Sequence, residues 1–243
     1  MKGSNTVQVC RSCGFQGSEK YCSRCGQPFA VKRITLSSLL HDVFHLLTHF
    51  DKGFVYTMKT LIISPGFMQR TYIEGKRSDH QKPISMFFVC ATIAAVCRYW
   101  VFTVLIKYYH VGSMSEANFS HAYMVIFQIA LLPLYTLITY LLFYKERYNY
   151  AEIGVLTLYT ISMVFLVAAI TVLLKLIWPS MDTAYIEYPI FILYNTITFL
   201  NFFENLPRWE VIIKSIIIVT AVFLIIQKFE DIIIDVISKS AAH

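Results

Sequence analysis

Apolar stretches dominate the last two thirds of the chain. They run over 84–106, 122–143, 153–177, 186–203 and 211–227, and each is nearly free of charge. At about 1.5 Å per residue, a helix of about 20 residues matches a hydrocarbon core about 30 Å thick. The first three runs meet that length and the last two only just do. The fourth holds Pro189, Asn195 and Asn201, so it reads either as a crossing or as a re-entrant or interfacial helix. The pattern predicts an all-α membrane protein with a bundle of about five transmembrane helices over 83–243.

Residues 34–82 show a different period. Between Leu36 and Phe50 the apolar residues fill one arc at 100° per residue, and Ser37, Ser38, His41, Asp42, His45, Thr48 and His49 fill the other. This predicts an amphipathic juxtamembrane helix, started by a Thr35 or Ser37 cap and ended at Asp51-Lys52-Gly53. His41, His45 and His49 lie four apart on the polar face, with neighbouring side chains about 6 Å apart. Adjacent pairs can share a metal ion or relay a proton, and Asp51 can add a ligand or orient a ring. A simply solvated polar face accounts for the same residues. One helix cannot wrap all three histidines round one ion.

Next, Ser64-Pro65-Gly66 predicts a helix restart, with Ser64 at the N-cap and Pro65 at the first helical position. Phe67, Met68, Tyr72 and Ile73 give it an apolar side, and Gly75 ends it beside Lys76 and Arg77. These two cations and Lys82 suit a lipid headgroup or a partner protein. They also suit a plain anchor for the first span.

The N-terminal module, residues 7–29, carries the sharpest chemistry. Cys10-Arg11-Ser12-Cys13-Gly14 is followed by Cys22-Ser23-Arg24-Cys25-Gly26. Each Cys-x-x-Cys turn points two thiolates at one ion, and the following glycine lets the backbone fold round the sulfurs. Two such knuckles close a tetrahedral Zn²⁺ shell and leave no open position for chemistry. A reducing compartment argues against the alternative of two disulfides. Cys90 and Cys97 fall in the first apolar run and read as buried thiols.

Taken together, the double Cys-x-x-Cys-Gly ribbon, the histidine helix running into Asp51-Lys52-Gly53, the Thr57-Met58-Lys59-Thr60-Leu61 stretch, Ser64-Pro65-Gly66 and Tyr72-Ile73-Glu74-Gly75-Lys76-Arg77 resemble one family. It is an uncharacterised family of bacterial inner-membrane proteins, frequent in Bacteroidota, with a zinc ribbon ahead of a multi-pass domain. The resemblance covers residues 10–83 and implies architecture and location, but no reaction.

Composition agrees with the membrane reading. Mean hydropathy is +0.56 and only 15% of the 243 residues are charged, too little polar surface for a soluble domain of this length. The formal charge of +6 is concentrated at one end: 12 of the 21 Lys and Arg residues precede Pro83. A basic segment abutting a bilayer points to anionic membrane lipids rather than nucleic acid, and it marks the cytosolic side. Lys145, Arg147 and Arg208 then fall in inner loops, which five crossings with an outer C-terminus accommodate; four crossings return the C-terminus inside. Arg98, Asn195 and Asn201 are polar groups at membrane depth. No P-loop, dinucleotide fingerprint or nucleophile motif is present. Three functions remain: a non-enzymatic scaffold or adaptor holding a partner protein or anionic lipid, a small transporter or channel, and a metal-dependent membrane enzyme using His41, His45 and His49.

Overall fold

The computed structural model describes residues 7–39, 53–110 and 124–240. His41, His45, His49 and Asp51 lie outside the described residues, as does most of the helix expected over 36–50. What is described of it begins as expected. Thr35 Oγ1 accepts from the Ser38 amide at 3.3 Å, and Ser38 Oγ accepts from the Thr35 amide at 3.1 Å.

The ribbon is a two-stranded antiparallel hairpin. Strands β1 (Gln8–Val9) and β2 (Gln16–Gly17) pair Gln8 with Gly17 and Val9 with Gln16. Its small core is Phe29 packed with Cys10 and Cys22. So few apolar side chains cannot hold a fold by burial alone, so a metal or a neighbouring surface has to supply the rest.

Two short helices, α1 (Phe54–Ile63) and α2 (Phe67–Glu74), form an elbow. Here the expected helix start is corrected. Ser64 ends α1, its amide bonding the Thr60 carbonyl, and α2 begins three residues later at Phe67. The physical cause is Gly66. It sits at φ +81°, and a Cβ there would come within 2.1 Å of the Thr198 carbonyl oxygen. The elbow therefore lies directly on another helix backbone, and the Gly66 amide is satisfied by Gln69 Oε1 at 2.6 Å. Asn201 Nδ2 donates to the Pro65 carbonyl at 2.8 Å and fixes the same contact from the other side.

Five long helices follow. They are α3 (Pro83–Val104, continued by a π-helical turn over Leu105–Tyr109), α4 (Met124–Leu142), α5 (Tyr150–Leu174), α6 (Ala184–Phe202) and α7 (Arg208–Ser240). Among the described residues, three helices are long and apolar enough to cross a membrane: Pro83–Tyr109, Tyr150–Leu174 and Arg208–Lys228. The expectation of about five crossings therefore stands at three by length and composition.

Helix α5 is central. Of its most apolar window 67% is buried, against 22% for α3 and 17% for α7, as expected for a helix that is apolar all round. Helix α3 packs along it, and α6 packs along α7. At one end Tyr109 Oη donates to the Leu176 carbonyl and Thr171 donates to Glu187, so α3 and α5 finish where α6 starts. At the other end Phe143 stacks on Phe203 at 4.0 Å and Tyr148 packs on Phe202 at 4.5 Å. The ribbon sits at this second end.

Candidate metal centre and ribbon junction

The four ribbon cysteines converge. One ligand atom from each of Cys10, Cys13, Cys22 and Cys25 lies within 4.8 Å of every other. The sulfurs of Cys10 and Cys25, and of Cys13 and Cys22, are 3.5 Å apart, and all four cysteines are free thiols. A tetrahedron with Zn–S bonds of about 2.3 Å needs sulfurs about 3.8 Å apart, so the set fits such a metal with little adjustment.

The two knuckles repeat each other. Gly14 donates to the Cys10 carbonyl at 2.9 Å and Gly26 to that of Cys22 at 2.8 Å, both glycines at φ near +75°. Without a cation the thiols cannot all ionise. An amide hydrogen bond from Cys13 brings the Cys10 thiol down to about 7. At Cys25 the Gln27 amide acts in the same direction, but burial and the three neighbouring thiols outweigh it and push the group up to about 12. A divalent cation is what lets four thiolates share this space.

The ribbon is fastened to the bundle through Gln27, just after the second knuckle, and through Arg11 and Ser12 of the first. Gln27 is buried, and its Nε2 donates to the Gly75 carbonyl at 2.6 Å while its Oε1 accepts from the amides of Arg77 and Ser78 at 3.2 Å each. Arg11 adds a bond to the Glu74 carbonyl at 2.8 Å, and the Ser12 and Ser78 hydroxyls meet. Gly75 thus ends α2, as expected, and also presents its carbonyl to the ribbon. Lys76 and Lys82 are exposed. Arg77 is turned inward: its guanidinium donates to the carbonyls of Tyr72, Ile73 and Lys32 at 3.1–3.3 Å.

Beside this junction opens a cleft of about 370 Å³, lined by Arg11, Lys32, Arg33 and Arg147 with Glu74 and Glu152. Glu152 is its inner wall, with a side chain 5% exposed, whereas that of Arg33 is 60% exposed. Arg33 forks onto both Glu152 oxygens at 2.8 Å and also donates to the Arg147 carbonyl. Glu152 at the same time closes the N-terminus of α5. Its Oε2 accepts from the Asn149 amide and Asn149 Oδ1 accepts from the Glu152 amide, both at 2.9 Å. Arg147 is held by Glu74 at 2.8 Å. Glu152, Asn149 and Arg33 escaped the sequence reading. Their signal is Asn149-Tyr150-Ala151-Glu152, a capping box ahead of an apolar run.

Residues 51–95 match the model of a family described as "Protein of unknown function (DUF3667)". The matched segment holds the α1–α2 elbow, Gly75 and its loop, and the first half of α3. No curated protein and no solved structure matches the chain.

The polar residues of the apolar helices separate. Asn195 is buried, donates to Tyr135 Oη at 2.5 Å and accepts from Ser215 Oγ at 3.0 Å, which ties α4, α6 and α7 together. Asn201 serves the elbow. Arg98 lines a chamber at the end of the bundle remote from the ribbon.

Proposed function

We propose that the protein is a bacterial inner-membrane scaffold that holds a zinc-folded ribbon against the cytosolic end of its bundle and binds an anionic phospholipid headgroup in the junction cleft. The observation that carries the reading is the cleft's charge. Four cations face two carboxylates in a volume within the usual range for ligand pockets, about 300–1,000 Å³. Because Glu74 and Glu152 already position Arg147 and Arg33, these guanidiniums lose little freedom when they meet a phosphate. Helix α1 offers the bilayer further apolar contact, since Val55, Ile62 and Ile63 are exposed apolar residues. No step of bond chemistry is required.

Zinc is the metal that four cysteine thiolates favour, with Cys10, Cys13, Cys22 and Cys25 as its ligands. The alternating ends of α3 to α7 support five crossings, with the N-terminus cytosolic. The ribbon's outer face is the surface left for a protein partner. The enzyme alternative depends on His41, His45, His49 and Asp51, outside the described residues. A small transporter draws its support from the remote chamber.

The test is titration of short-chain phosphatidylglycerol and phosphatidylcholine into the detergent-purified full chain. The glycerol lipid is expected to bind at least about tenfold more tightly than the choline lipid, with the preference falling as salt rises. Equal affinities, or a preference unchanged in Lys32→Gln with Arg147→Gln, would remove the basis of the proposal.

A further inference from the structure

The end of the bundle remote from the ribbon contains a second site, independent of the cleft. A chamber of about 240 Å³ opens between α3, α5, α6 and α7. Alanines make the room: Ala91, Ala94 and Ala95 on α3, Ala168 on α5 and Ala184 on α6. Four charged side chains line it, and they balance. They are Arg98 and Lys175 with Asp182 and Glu187, and Gln227 also lines the chamber.

These groups are placed by the fold. Thr171 Oγ1 donates to Glu187 Oε1 at 2.6 Å, and Asp182 Oδ1 accepts from the Ala184 amide at 2.9 Å. The Lys175 ammonium lies 5.5 Å from the centre of the Phe102 ring.

An apolar chamber of about 110 Å³ adjoins the charged one. The two share Val164, Phe191, Phe223 and Ile226 as walls. The smaller is lined by Leu131, Ile161, Val219 and Val222, and the bonded pair Tyr135 and Asn195 also borders it. Helix register gives the order of the two. Along α6 the charged chamber draws on 184, 187 and 191, the apolar one on 191 and 195. Along α5 the charged chamber takes 164, 165, 168 and 175, the apolar one 161 and 164. At about 1.5 Å per residue, the apolar chamber reaches about one turn deeper toward the middle of the bundle than the charged one.

The geometry points to a binding site for a zwitterionic amphiphile, with an anionic group and an ammonium on one head and a single apolar tail. The anion meets Arg98 and Lys175, the ammonium meets Glu187 and Asp182, and the tail enters the deeper chamber. A head carrying one charge alone pairs with one sign of side chain in the chamber, whereas a zwitterion pairs with both, which is the basis of discrimination. Such a head occurs on an ethanolamine phospholipid of the bilayer and on a free amino acid with an apolar side chain.

Calorimetric titration of the full chain in an uncharged detergent separates these. The probes are lysophosphatidylethanolamine, lysophosphatidylglycerol with the same tail, dodecylamine and free phenylalanine. At least one zwitterion is expected to bind at least about tenfold more tightly than either singly charged amphiphile. Tighter binding of the lysolipid assigns the site to lipid, and tighter binding of phenylalanine assigns it to a free solute. Glu187→Gln is expected to bring the ethanolamine and glycerol lysolipids within about threefold of each other, by removing the partner of the ammonium. Equal binding of all amphiphiles by the unaltered chain, or no binding of either zwitterion, overturns the proposal without any variant having to fold.

Discussion

Replacing Gln27 with Ala should release the ribbon from the bundle while leaving the metal centre whole. Gln27 supplies three hydrogen bonds across the junction, one to the Gly75 carbonyl and two from the amides of Arg77 and Ser78. Its side chain is not among the four metal ligands. A hydrogen bond of this kind contributes about 1 kcal/mol net, more when a buried partner is stranded, so the three together contribute about 3 kcal/mol. That is about a hundredfold in the docking equilibrium. The remaining ties, from Arg11 to Glu74 and between Ser12 and Ser78, are exposed and hold less. Hydrogen exchange read at Arg77 and Ser78 is the direct assay, because Gln27 Oε1 is their acceptor. Exchange there should accelerate by about a hundredfold at unchanged zinc content. Protection of both amides equal to that of the unaltered chain would refute the role given to Gln27, and with it the docked ribbon.

Elemental analysis of the purified chain should find one zinc per polypeptide, lost in Cys22→Ser with Cys25→Ser; retention of zinc in that variant would exclude the four-cysteine site. Gly66→Ala should lower the thermal midpoint sharply. It forces a side chain to φ +81° and within 2.1 Å of the Thr198 carbonyl, at a cost of about 1–2 kcal/mol from the backbone alone before the clash is relieved. A midpoint within a degree or two of the unaltered chain would mean that the elbow is not seated on α6. His80 is buried, and that burial draws its titration below the ordinary value despite the opposing pull of Asp79, with Lys76 lowering it further. The folded state therefore binds this proton less readily than the unfolded one. The contribution is intact above the unfolded value of about 6.5 and is lost as pH falls below it. The drop in stability from about pH 7 to about pH 5 should be shallower in His80→Gln; an unchanged slope would assign the acid sensitivity elsewhere.

The features legible in the sequence are those decided locally. The cysteine knuckles carry their geometry within four residues and a glycine, so Cys10, Cys13, Cys22 and Cys25 could be placed together before any fold was known. Gly75 as a helix end and Thr35 as a helix start are local in the same sense. What was not legible depends on partners distant along the chain. Ser64-Pro65-Gly66 has the composition of a helix start, yet Thr198 and Asn201 decide that the helix begins at Phe67 instead. Arg77 reads as one more cation, and only the return of Lys32 to the α2 terminus gives it three carbonyls to hold. Glu152 stands just ahead of an apolar run as part of a helix cap, but its partner Arg33 lies 119 positions away. Arg98 was visible as a costly residue, but its companions Lys175, Asp182 and Glu187 come from other helices and a loop.

On our proposal, the ribbon junction holds an anionic lipid at the end of the bundle where the ribbon sits. Native mass spectrometry of the full chain extracted from its own membrane measures this most directly. The unaltered chain should carry a zinc ion and a tightly retained anionic phospholipid, and Lys32→Gln with Arg147→Gln should keep the zinc and lose most of that lipid. Retention of the same lipid by the variant, or its absence from the unaltered chain, would contradict the account.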